Sequence, residues 1–135
     1  MIFVSARRNP AQHRAFEVRM SRILLVEDDV GVREVVERVL ADAGYEVDAT
    51  GSANKACDFL CRYPYDLVIA DAKLPDGTGM AVADDARANG IKSLIITGDA
   101  PTLPYGVFDR YEILLKPLRL DDLLEFVASR LTVAA

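Results

Sequence analysis

The sequence predicts an α/β fold, a doubly wound five-stranded parallel sheet with helices on both faces, and three observations predict it. Short apolar runs at Ile23 to Val26, Leu67 to Ala70, Ile91 to Ile96 and Tyr111 to Leu115 lack the polar alternation of a half-exposed strand, as strands buried on both faces do. Segments with apolar residues at helical spacing separate these runs, joined by short turn signals, which is the alternation that right-handed crossovers require. The length of 135 residues suits one domain around one core.

Residues 1–20 resemble nothing that follows and are set apart as an N-terminal extension. Asn9 and Pro10 suit the N-cap and first position of a short helix over Ala11 to Arg19. The alternative is a flexible leader upstream of a start at Met20. The first strand, Ile23 to Val26, runs directly into Glu27, Asp28 and Asp29. Val32, Val35, Val36, Val39, Leu40 and Ala43 then give an amphipathic helix over 30–43, with Asp29 as N-cap and Gly44 as its stop. Tyr45 to Thr50 alternates apolar and polar, so it reads as a strand with one polar face at a sheet edge. Ser52 caps a helix through about Arg62, ended by Tyr63 and Pro64.

The third strand ends in Asp71, and Lys73-Leu74-Pro75-Asp76-Gly77 forms the loop after it. A helix follows from about Gly79 to Asn89, with Asn89 and Gly90 as its stop. The fourth strand terminates at Thr97-Gly98-Asp99. Pro101, Pro104 and Gly106 make the fourth helix short or irregular. Tyr111 to Leu115 is the fifth strand and leads into Lys116-Pro117. The last helix, from about Asp121 to Leu131, has Leu123, Leu124, Val127 and Leu131 on its apolar face and acids in its first turn.

The net charge of −5 hides an asymmetry, because residues 1–20 hold four Arg and one Glu (+3) while the remainder holds twelve basic and twenty acidic residues (−8). An acidic body repels DNA and RNA, so no nucleic-acid partner is expected. No apolar run approaches the roughly 18 to 20 residues needed to span a bilayer, and the chain reads as soluble, cytoplasmic and without a membrane partner. Cys57 and Cys61 share a helix face, but structural zinc needs four ligands and the chain has a single histidine, His13, so they read as half-buried thiols.

In a parallel sheet, ligands bind outside the carboxyl ends of the strands, where the strand order reverses. The polar residues at those ends are Glu27 and Asp28, Asp71, Thr97 and Lys116. Three carboxylates held together repel one another, and a single lysine does not balance them. One Mg²⁺ ion would, because oxygen ligands suit it and it accepts phosphate oxygens as further ligands. A carboxylate beside such an ion can attack a phosphoryl group to give an acyl phosphate, with the lysine neutralising its oxygens and Thr97 donating a hydrogen bond.

From Arg22 to Leu131 the sequence resembles a response-regulator receiver domain of bacterial two-component signalling. The landmarks are Ile23 to Asp29, Asp71 with Leu74 to Gly77 after it, Thr97-Gly98 and Lys116-Pro117. The resemblance implies a flavodoxin-like sheet of order 2-1-3-4-5, with residues 21–135 as the receiver domain. It implies Asp71 as phosphoacceptor, Glu27 and Asp28 as the acidic pair, and Mg²⁺ bound by Asp28, Asp71 and the backbone carbonyl of Lys73. Thr97 is then the switch hydroxyl and Lys116 the phosphate contact. The partners implied are a histidine kinase or phosphotransfer protein and a downstream protein, with a homodimer compatible; as a stand-alone receiver, the protein would signal through protein contacts.

Two alternatives remain at this stage. A haloacid-dehalogenase-like phosphatase also uses a strand-end Asp with Mg²⁺, but it needs an acid two residues on, where this chain has Lys73. A pseudo-receiver used for docking is motivated by Ile113, which stands where the family carries Tyr or Phe three residues before its lysine. Tyr111, two residues earlier, is the substitute that strand alternation offers. The intervals from Asp71 to Thr97 and from Thr97 to Lys116 are shorter than usual, which places the alterations around the third and fourth helices and leaves the site intact.

Overall fold

A computed structural model describes residues 20–131; the helix expected over Ala11 to Arg19 lies outside the described residues. Five parallel strands form the sheet: β1 (Arg22–Val26), β2 (Glu46–Thr50), β3 (Leu67–Asp71), β4 (Lys92–Thr97) and β5 (Ile113–Leu115). Their order is β2-β1-β3-β4-β5, all pairs parallel, as expected. The order reverses between β1 and β3, so the carboxyl ends of these neighbours open one crevice.

Helices α1 (Val30–Asp42) and α5 (Leu120–Leu131) cover one face, where Val36, Leu40, Leu123 and Val127 pack on Ile23, Leu25, Leu67, Ile69, Leu94 and Ile96. Helices α2 (Ala53–Arg62) and α3 (Gly79–Ala88) cover the other, packing Ala56, Leu60, Val82 and Ala86 on Leu24, Val26, Val68 and Ala70. β1 and β3 divide alternate residues between these cores, which is why Ile23 to Val26 and Leu67 to Ala70 are apolar throughout. The N-caps fall where the sequence puts them: Asp29 accepts from the Val32 N–H and Ser52 from the Lys55 N–H. Among the described residues no helix is long and apolar enough to cross a membrane.

Three local features differ from the sequence reading or extend it. The polar side of β2 is not simply solvated, because Asp48 accepts from the Tyr65 hydroxyl at 2.6 Å and from Arg22 Nη2 at 3.2 Å. The Arg22 guanidinium also lies 5.7 and 5.5 Å from the ring centroids of Tyr63 and Tyr65. The segment after β4 holds a 3-10 turn (Ala100–Thr102) and a single-turn helix α4 (Val107–Arg110), as its prolines and glycine require. The fifth strand begins at Ile113, not Tyr111, because the Tyr111 N–H bonds back to the Val107 carbonyl and closes α4.

Candidate functional site

Buried apolar residues carry β3 to its end at Asp71, and parallel pairing sets Asp71 beside Ile96 of β4. Glu27 follows β1 and is fixed by its N–H to the Thr50 carbonyl, 2.9 Å. Lys116 follows β5, with its N–H on the Thr97 carbonyl at 2.8 Å. These three anchors bring four side chains together. The Lys116 ammonium lies 3.0 Å from Asp71 Oδ2 and 3.2 Å from Glu27 Oε1. One carboxylate oxygen from each of Glu27, Asp28 and Asp71 lies within 4.8 Å of the others.

The electrostatics show what this arrangement lacks. Glu27 is 4% exposed; burial pushes its carboxyl pKa up and the Asp71 charge adds to that, against the Asp29 N–H (3.1 Å to Oε2) and Lys116. Burial pulls the Lys116 ammonium down, but Asp71 and Glu27 outweigh it and hold its pKa above the ordinary lysine value. Three acids thus face one committed cation. The deficit, the all-oxygen donor set and the exposed Asp28 fit a hard divalent cation held by Glu27, Asp28 and Asp71.

Thr97 ends β4 and is 1% exposed. Its Oγ1 accepts the Asp99 N–H at 3.1 Å, a bond that uses a lone pair and leaves the hydroxyl proton to donate. The Lys73 N–H is 3.3 Å from Asp71 Oδ1, while its ammonium reaches sideways to Asp99 Oδ2 at 2.8 Å. Ile113 pairs with Ile95, two residues below the Thr97 and Leu115 pair. Tyr111 does not stand in for the missing aromatic: its ring is buried beside Ala72, Ala83 and Val107, and its hydroxyl donates to Asp84 Oδ1 at 2.7 Å.

Two site-shaping residues escaped the sequence reading. Arg33, on the first turn of α1, donates from Nη1 to the Glu27 carbonyl at 2.8 Å, over Gly51, where a Cβ would come within 2.9 Å of that nitrogen. Asp76 reaches from the loop after Asp71 to the start of α2 and accepts from the Asn54 N–H, the Ser52 hydroxyl and the Ala53 N–H at 2.7 to 3.0 Å. These bonds hold its carboxyl down at about 2. The "Pro-Asp-Gly" turn signal marked a loop but not its distant partner. The thiols take no part: Cys61 is exposed, and burial with the neighbouring Asp85 pushes Cys57 up to about 12.

An apolar groove of about 650 Å³ opens beside Lys116, between α1 and the start of α5. Val32, Val35, Val36, Pro117, Leu118 and Leu120 line it, and Val35 is 52% exposed.

Comparison with known proteins gives a consistent picture. Residues 23–128 match the family described as response regulator receiver domain. The transcriptional regulatory protein DltR of Streptococcus agalactiae is 30% identical over 114 residues, covering 81% of this chain and 51% of that protein. The cell cycle response regulator CtrA of Brucella ovis is 30% identical over 111 residues, covering 76% and 47%. The chain spans about half the length of these two relatives. Among solved structures, the response regulator TrrA of Thermotoga maritima, in complex with Mg²⁺ and beryllofluoride, superposes with a TM-score of 0.74 at 30% identity over 83% of this chain and all of that one. A response regulator from Chloroflexus aurantiacus gives 0.75 at 28% identity, over 85% and 100%.

Proposed function

The chain belongs to the response regulator receiver family, whose members are signalling modules rather than enzymes, and from that premise we propose that Asp71 accepts a phosphoryl group from the phosphohistidine of a histidine kinase or phosphotransfer protein. The observation that carries this reading is the convergence of Glu27, Asp28, Asp71 and Lys116 on one crevice. An Asp71 oxygen attacks phosphorus, the phosphorus–nitrogen bond breaks, and its electron pair returns to the donor imidazole. Lys116 neutralises a phosphoryl oxygen and Thr97 donates its hydroxyl proton to another. Asp28, Asp71 and the Lys73 carbonyl, together with Glu27 of the same acidic cluster, would hold Mg²⁺, and the ion would supply charge neutralisation to the reaction.

The acyl phosphate carries about −1.5 to −2 charge where the Asp71 carboxylate carried a single negative charge, and the changed surface is read by a downstream protein. On this reading residues 21–135 form the receiver unit, residues 1–20 an extension, and the protein works in the cytoplasm without binding nucleic acid. The phosphatase alternative has no support at Lys73, whose ammonium pairs with Asp99. Incubation with a small acyl-phosphate donor should give one hydroxylamine-labile phosphoryl group per chain, read by intact mass, and EDTA should abolish it. Undiminished uptake in EDTA overturns the metal assignment.

The groove beside Lys116 suits a helix of the protein donor, because an apolar patch next to the acceptor gives a docking surface that a small donor does not use. Val35→Glu should slow transfer from the protein donor at least tenfold, about 1.4 kcal/mol, and leave uptake from the small donor unchanged. Equal slowing with both donors places the fault in the site instead.

One observation favours a second reading. Ile113 and the Asp84-bound Tyr111 leave the start of β5 without an aromatic ring free to pair with Thr97. The chain is then a docking module whose surface ignores its phosphorylation. Beryllofluoride that leaves oligomeric state and partner affinity unchanged while occupying the site selects this reading.

A further inference from the structure

We propose a second anion site at the opposite end of the sheet from Asp71, where a cleft of about 210 Å³ at the amino ends of β4 and β5 binds a small phosphate-bearing ligand. Arg87, Lys92 and Arg110 line it together with Ser93, Tyr111 and Glu112. The cleft exists because α4 is a single turn: its last residue, Arg110, turns down beside the end of α3, and Arg87 Nη2 donates to the Arg110 carbonyl at 3.1 Å. The Tyr111 ring, 8% exposed, backs both guanidinium groups, with Arg110 at 5.2 Å and Arg87 at 6.0 Å from its centroid.

Ion pairing separates this cleft from an ordinary solvated surface. Among the described residues every basic side chain except Arg33, Lys55, Arg87, Lys92 and Arg110 stands in an ion pair with a carboxylate. Three of those five meet here, in a chain whose net charge is −5. The acid lining the cleft, Glu112, is already engaged by Arg130 through both Nε and Nη2. Asp84, the acid nearest Tyr111, accepts the tyrosine hydroxyl.

The simpler role for two of these cations is capping, because Arg87 bonds the last carbonyl of α4 and Lys92 Nζ bonds the Arg130 carbonyl of α5 at 2.8 Å. Each bond uses one N–H and leaves further donors on the guanidinium or ammonium. Arg110 makes no such bond among the described residues. Its guanidinium, that of Arg87 and the Lys92 ammonium supply three positive charges in one pocket, with the Ser93 hydroxyl as a further donor. That charge matches a phosphate dianion better than a carboxylate, and guanidinium forks match its oxygens. The acidic remainder of the surface repels a nucleic acid, which leaves a small ligand as the occupant.

Two-dimensional NMR titration of the full chain tests this, using inorganic phosphate and ribose 5-phosphate at ionic strength fixed with sodium chloride. Saturable shifts are expected at residues 87–93 and 110–112, tighter for whichever source, free phosphate or monoester, fills the cleft. Arg87→Gln with Arg110→Gln should weaken binding at least tenfold, and Lys55→Gln, at an unpaired cation elsewhere, should not. Lys92→Gln serves as an independent variant should the double substitution disturb α4. Shifts confined to residues 26–29, 71–73 and 116, a response that added chloride reproduces, or unchanged affinity in both cleft variants overturns the proposal. None of these outcomes depends on whether Asp71 is phosphorylated.

Discussion

Asp71→Asn is expected to reduce phosphoryl uptake from a small donor to background and, in the same protein, to raise stability when no divalent cation is present. The first effect follows from the chemistry, because the amide lacks the anionic oxygen that attacks phosphorus. The second follows from the site's charge, since removing one of three clustered carboxylates relieves repulsion while Lys116 keeps Glu27 as its partner at 3.2 Å. The gain should be about 1 kcal/mol for one such pair at a partly exposed position. Thermal unfolding with and without Mg²⁺ measures it: the wild type should gain more from the metal than the variant does. A variant less stable than wild type in metal-free buffer would show that the Lys116 contact to Asp71 outweighs the repulsion, and the reading of a charge deficit would fall.

Gly79→Ala carries the largest expected loss of stability. Gly79 opens α3, with its N–H on the Ala72 carbonyl at 3.0 Å, and a Cβ there would stand 2.4 Å from the Asp71 carbonyl oxygen and 2.9 Å from its carbonyl carbon. Those atoms are backbone and cannot swing aside, so α3 or the end of β3 must move. Overpacking of this kind costs about 3 kcal/mol, to be read as a lowered urea midpoint with an unchanged slope. Because the moved atoms belong to Asp71, Mg²⁺ affinity should fall as well. Wild-type stability in this variant would mean that the helix start adjusts freely and does not set the position of the acceptor.

The site's four central residues were legible because each ends an apolar run. A strand buried on both faces has few reasons to carry a charge, so a carboxylate or ammonium at its end marks the rim of the sheet, and the topology of a doubly wound sheet brings all such ends to one side. Arg33 and Asp76 were not legible for the complementary reason. Arg33 on an amphipathic helix has the pattern of a solvated residue, and only the fold brings Glu27's carbonyl beneath it. Asp76 looks like a turn former, and its partners lie 22 to 24 residues back in the chain. Periodicity starts the fifth strand two residues early because Tyr111 is apolar and a single residue, Glu112, separates it from Ile113; backbone bonding to Val107, which periodicity does not register, decides the boundary. The basic cleft was invisible for the same reason as Arg33, since Arg87, Lys92 and Arg110 sit on three separate elements.

The span between Lys116 and its two acids also has a consequence for how the molecule is made. Glu27 and Asp28 leave the ribosome first, Asp71 follows, and the neutralising ammonium lies 89 residues after Glu27 and 45 after Asp71. A nascent chain that has paired β1 with β3 therefore carries that cluster of like charges before Lys116 has been made. Synthesis from the amino end fixes that sequence of events. The sheet gathers its acids early and receives the Lys116 ammonium only when the last strand docks, so a chain stopped before β5 would depend on dissolved cations to balance the charge of the acidic crevice.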